Sequence, residues 1–121
     1  MAGVDSGYVV DYNVLTNEFT NWTSFSYNNQ REIATHFDGI SNSECCGYNL
    51  TGVAITLKGQ IAFAAHISRD ENSKFYKKAK WEEIVVPNQI LTTGNSIALN
   101  TVIGISSQDG HTVNGYVSIL I

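Results

Sequence analysis

Apolar and aromatic residues fall at every second position in several short runs of the chain. Tyr8, Val10 and Tyr12 form one, Phe63, Ala65 and Ile67 another, and Val117, Ile119 and Ile121 a third. Side chains two apart lie on the same side of an extended strand, so each run predicts a strand with one apolar face. Phe25 and Tyr27 alternate in the same way, as do Ile84 and Val86. β-Branched and aromatic residues dominate these runs, and the turn-forming stretches "SNSE", "LKGQ" and "SQDG" separate them. Eight or nine short strands are predicted. The single proline, Pro87, falls at a strand end, where a missing N–H does little harm. "ENSKFYKKAKWEEI" has room for two or three helical turns but no apolar stripe, and reads as a long hairpin loop.

The pattern repeats. "WTSFSYNNQ", from Trp22, parallels "WEEIVVPNQ", from Trp81. Continuing the alignment sets Thr35 opposite Thr93, Ile40 opposite Ile97, Gly52 opposite Gly104 and Val53 opposite Ile105. Tyr8, Phe63 and Tyr116 become three versions of one aromatic strand position. The expected architecture is all-β and antiparallel, an internally duplicated four-strand unit of about 55 residues. One domain over 1–121 would hold two repeats, about 8–62 and 63–115, and a closing strand at 116–121. Such a unit leaves strand edges unpaired, and edges invite pairing. Closure follows either by rolling the chain into an eight- to nine-stranded barrel or sandwich, or by several chains completing a ring of propeller-like sheets.

The second copy resembles the tandem repeats of bacterial surface and secreted arrays. Their pattern is W-x-x-I-x-x-P, then Thr, then Gly-Ile-Asn, then I-V-G and a closing Gly-Phe. The matching residues are Trp81, Ile84, Pro87, Thr93, Ile97, Ile103, Gly104, Gly115 and Tyr116, with Ser96-Ile97-Ala98 standing where the pattern has Gly-Ile-Asn. The resemblance implies propeller-like sheets and supplies no catalytic residues.

Composition narrows the function classes. Hydrophobic residues make up 43% and charged ones 15%, so Asn, Ser, Thr and Gly fill much of the surface. A net charge of −4 offers no general attraction for phosphate backbones, and nucleic acid is not an expected partner. No apolar run reaches the roughly 18 residues that cross a bilayer, so no membrane insertion is expected. "MAGVDSGY" lacks the basic start and apolar stretch of a secretory signal, and synthesis in the cytoplasm is expected. Cys45 and Cys46 are neighbours and read as two reduced thiols in a turn; no zinc site, metal or cofactor is expected.

Candidate chemistry centres on the two tryptophans. If Phe25, Tyr27, Ile84 and Val86 enter the core, Trp22 and Trp81 stand on the wetter side, each beside polar residues. A flat indole next to hydroxyls and amides suits a sugar ring. The structural alternative is that both rings cap the core. His36 and Asp38 lie two apart on a strand and face the same way, with Thr93 and Asn95 near the corresponding places of the second copy. That pattern reads as a polar rim for a ligand rather than as catalysis. Trp22, Trp81, His36, Asp38, Asn95 and Tyr48 form the candidate ligand-binding set. Neither a nucleophile elbow nor a phosphate loop is present, and no enzyme is expected. The resulting expectation is a lectin-like carbohydrate-binding protein, multivalent as a homo-oligomer on a glycan or glycoconjugate. The alternative is a structural or interaction module that self-assembles without a small ligand. A third reading is an enzyme or a barrel holding a small molecule in a cavity lined by Tyr8, Phe63 and Tyr116.

Overall fold

The computed structural model describes residues 5–69 and 72–120. Ile121, Asp70 and Glu71 lie outside that range. Among the described residues nine strands form: β1 (Gly7–Asn13), β2 (Glu18–Phe25), β3 (Ala34–Asn42), β4 (Tyr48–Thr56), β5 (Gly59–Ile67), β6 (Lys80–Ile84), β7 (Leu91–Ala98), β8 (Thr101–Ser107) and β9 (Asn114–Ile119). They pair antiparallel into three open sheets. The first is β1-β2, the central one β3-β4-β5-β6 and the last β7-β8-β9. No sheet closes into a barrel, which removes that alternative. The stretch 72–79 is irregular apart from a bridge between Arg69 and Tyr76, as its missing apolar stripe suggested.

Strand registers repeat along the chain. On β3, Phe37 pairs with Gly52 and Gly39 with Thr51, which leaves Asp38 as a bulge. On β7, Gly94 pairs with Gly104 and Ser96 with Ile103, which leaves Asn95 as a bulge. Gly52 then faces Phe63 across β4-β5, and Gly104 faces Tyr116 across β8-β9. Phe63 in turn pairs with Glu83, two residues beyond Trp81, and Tyr8 with Ser24, two residues beyond Trp22. The duplicated four-strand unit is therefore written in the hydrogen-bond ladder. One detail of the alignment changes: Thr35 corresponds to Thr92 rather than Thr93, and both of these threonines are buried. The same register puts His36 opposite Thr93 and Asp38 opposite Asn95.

Each sheet has two faces, and their order is constant. We call front the face of the central sheet that carries Leu50, Phe63, Ala65, Ile67 and Trp81, and back the face that carries Ala62, Ala64 and Ile84. The first sheet lays Val9 and Phe25 on that front, where Tyr27, Phe37 and Tyr76 join the cluster. The last sheet lays Ile97 and Val102 on the back, with Tyr116 packed beside them. By register Ile97, Val102 and Tyr116 match Ile40, Leu50 and Phe63, so the last sheet offers its own front to the back of the central one. The stacking is front on back, twice.

The second of these junctions is unusually close. β7 runs across β3, β4 and β5. A Cβ on Gly94 would collide with the Thr51 hydroxyl and sit 3.2 Å from the Gly52 carbonyl oxygen. A Cβ on Gly39 would lie 3.3 Å from the Ile97 nitrogen. Only glycine lets two backbones approach so near. Gly94→Val is expected to lower stability by about 2–3 kcal/mol, because a branched side chain must push β7 off the sheet. Gly115→Ala serves as control, since beyond its chain neighbours a Cβ there would meet the Gly104 carbonyl oxygen only at 4.0 Å; a change within about 0.5 kcal/mol is expected. Urea midpoints measured side by side check both.

Candidate functional site

Trp22 lies on the front of the first sheet. Its ring centroid is 5.2 Å from that of Tyr8 and 6.2 Å from that of Phe19, and Phe19 stacks on Tyr12 at 4.6 Å. All four rings are about half exposed: Tyr8 58%, Tyr12 48%, Phe19 56% and Trp22 55%. The face carries Tyr8, Val10, Tyr12, Phe19, Trp22 and Ser24 on its strands, none of them charged. The alternation of β1 and its pairing with β2 aim these side chains one way. Four large rings on one uncharged hairpin face form a contiguous apolar patch.

Trp81 occupies the same ladder position in the central sheet, yet its surroundings differ. It is half-buried in the core cluster, parallel to Phe37 at 6.3 Å and edge-on to Phe63 at 5.1 Å and to Tyr27 at 5.5 Å. Its Nε1 donates to Asn29 Oδ1 at 3.4 Å. The expectation of two equally wet tryptophans is corrected here. The first sheet and the segment that follows it cover the front of the central sheet, and among the described residues no sheet covers the front of the first. Tyr27 and Val86 also fall outside strands, since β2 ends at Phe25 and β6 at Ile84. Tyr27 nonetheless packs into the core, as expected.

The other candidate residues are scattered. His36 Nε2 lies 3.1 Å from Asp38 Oδ1, and Thr93 Oγ1 donates to Asn95 Oδ1 at 2.6 Å, so the two bulges hold matching polar pairs. Among the described residues no group of three His, Cys, Asp or Glu side chains gathers to hold a metal. Tyr48 sits at the rim of the core, edge-on to Tyr76 at 6.3 Å. No hydrogen bond or ring contact among the described residues joins Trp22, Trp81, Tyr48 and Asn95. Tyr8, Phe63 and Tyr116 lie on three different sheets. Cys45 and Cys46 are free and exposed. Beside Trp81 opens a cleft of about 590 Å³, lined by Asn49, His66, Lys80, Glu82 and Asn100. Its walls are tied together: His66 Nδ1 is 2.8 Å from Asn49 Oδ1, and Asn49 Nδ2 donates to the Leu99 carbonyl at 2.8 Å.

A polar clamp holds the first sheet in place. Arg69 donates two bonds to the Asp11 carboxylate, at 2.7 and 2.8 Å, and lies over the Tyr76 ring at 4.4 Å. Asn21 adds a bond to the same carboxylate. The hydrogen bond from Arg69 holds the Asp11 carboxyl below its ordinary value of 3.8, with the Asn21 bond acting in the same direction. Sequence reasoning passed over Tyr8, Tyr12 and Phe19 as surface rings and Asp11 as a clamp. The Tyr8-Val10-Tyr12 alternation was the available signal for the rings, but nothing local pairs Asp11 with Arg69, 58 residues away.

No protein-family model matches the chain, and it matches no curated protein and no solved structure.

Two outcomes follow for stability. Trp81→Ala is expected to cost about 3–5 kcal/mol as a core truncation, and Trp22→Ala about 1 kcal/mol or less, in thermal or urea unfolding. Asp11 stabilises the fold where it is ionised, because its folded pKa is depressed; that contribution is complete above pH 4 and fades as pH falls through the lowered value. Acidification from pH 5 should therefore destabilise the wild type by about 1 kcal/mol more than Asp11→Asn, and equal slopes would dismiss the clamp.

Proposed function

We propose that this protein works by homotypic association, with a second copy of the chain covering the aromatic front of the first sheet. One observation carries the reading. Trp22 and Trp81 hold equivalent ladder positions, and the one that has a neighbouring sheet is packed while the other is bare. The contact that packs Trp81 is made from this chain's own repeated parts, so another copy brings the same kind of surface. An uncharged patch of four rings gains by leaving water, at roughly 25 cal/mol per Å² of apolar surface. Association of this kind makes propeller-like sheets a shared product of several chains.

A second reading, carbohydrate binding, is favoured by the cleft beside Trp81. Its volume lies within the usual span of small-ligand sites, and an amide, an imidazole, an ammonium and a carboxylate line it. The two readings are compatible, since assembly would multiply a weak site.

Light scattering on a size-exclusion column separates them. The wild type is expected at a multiple of 13.3 kDa at tens of micromolar, and Trp22→Arg at 13.3 kDa with an unchanged circular dichroism spectrum. A wild type that stays at 13.3 kDa up to about 100 μM, a concentration at which even weak specific pairing shows, dismisses association. A glycan array at several densities tests the cleft. Signal lost in Asn49→Ala and His66→Ala supports it, and silence with an intact oligomer leaves assembly alone.

A further inference from the structure

The last sheet also ends on a bare face. Its back carries Ile103, Ile105, Val117 and Ile119, exposed by 53, 39, 68 and 68%. By register these positions match Thr51, Val53, Ala64 and His66 of the central sheet. Thr51 and Ala64 lie on the back that β7 covers, and both are buried. A run of four aliphatic side chains is thus exposed at the place where, one unit earlier, the chain packs a further sheet. Its neighbours on that face, Thr93 and the bulged Asn95, are uncharged as well, and their side chains bond to each other.

The chain therefore displays a bare front at its first sheet and a bare back at its last. Within one molecule the two junctions are both front on back: the first sheet's back on the central front, and the central back on the last sheet's front. We infer that copies join head to tail, the aliphatic back of the last sheet of one copy seating on the aromatic front of the first sheet of the next. This rests on the homotypic association proposed above and names the surface that the second copy brings. Neither face bears a charge that opposes the other. A junction of two unlike faces is heterologous, so it propagates into a ring where the rotation closes and into a filament where it does not. A front-to-front pair would instead be two-fold symmetric and would stop at a dimer.

Complementary blocking tests the pairing. Trp22→Arg disables the front and Val117→Arg the back, with the same charge on both so that no new ion pair arises. Each variant alone is expected at 13.3 kDa. Mixed in equal amounts they keep one intact junction, the wild-type front of one against the wild-type back of the other, and a species of twice that mass should appear and grow no further. Association surviving in Val117→Arg alone means front-to-front pairing or strand exchange at the β9 edge and overturns the inference. Association surviving in Trp22→Arg alone, or a mixture that stays monomeric, overturns it too. A wild type that never associates removes the underlying proposal instead, which is a distinct result. Tyr12→Lys and Ile119→Lys repeat the design at exposed positions, so a folding defect in one variant does not decide the outcome.

Discussion

Burial of β5 on both faces is the constraint on which the molecule depends. Ile61, Phe63, Ala65 and Ile67 are buried toward the first sheet and Ala62 and Ala64 toward the last. A strand in that position can keep no polar face, which is why "IAFAA" is a nearly continuous apolar run. The two faces do different work. The front carries volume, with Phe63, Leu50 and Ile67 contributing on the order of 1.5–3 kcal/mol each through apolar burial. The back carries small residues, Thr51, Ala62 and Ala64, so that β7 can come within contact of the backbone. Large in front and small behind gives the central sheet a direction, and the two junctions on either side of it are both front on back.

Much of this was legible in the sequence. Period-2 alternation located most of the strands, and the turn stretches "LKGQ" and "SQDG" fall between β4 and β5 and between β8 and β9 as the turn residues required. The Trp22/Trp81 echo gave the duplication because a strand's register preserves both spacing and facing. The Thr35 alignment slipped by one residue for a physical reason. Three residues separate Gln30 from β3 and one separates Gln89 from β7, and with Thr92 and Thr93 adjacent the residue types alone do not say which of the two matches Thr35. Other features left no local trace. Leu99 takes a positive φ of 53° in the β7–β8 turn, where glycine or asparagine would be the ordinary choice. Its backbone N–H is held by the Ser41 hydroxyl and its carbonyl by Asn49, both on the central sheet. Tertiary contacts set that turn.

The candidate site was less legible than the fold, and the tryptophans show why. Periodicity assigns a side chain to a face, but it does not say what lies over that face. Trp22 and Trp81 share a position, a strand type and polar neighbours, and they differ in solvent only because one has a sheet stacked in front of it. Exposure in a stacked repeat is a property of order along the stack. The same holds for the outer aliphatic residues of the last sheet, which read locally as core.

Substitutions between equivalent positions carry the matter one step further. Where the central back has Thr51, Ala64 and His66, the last back has Ile103, Val117 and Ile119. Larger side chains hold a covering sheet farther away, so a junction on the last back cannot copy the backbone contact that Gly94 makes with Gly52 and Thr51. It must be made by interdigitated side chains, for which aromatic rings of the first sheet are suited in size and in lack of charge. The internal junction is thereby fastened through glycine and by hydrogen bonds such as Asn49 to Leu99. A junction between copies of the kind proposed would have apolar packing alone. On that proposal the chain's own sheets would stay together while its copies came apart and rejoined with concentration.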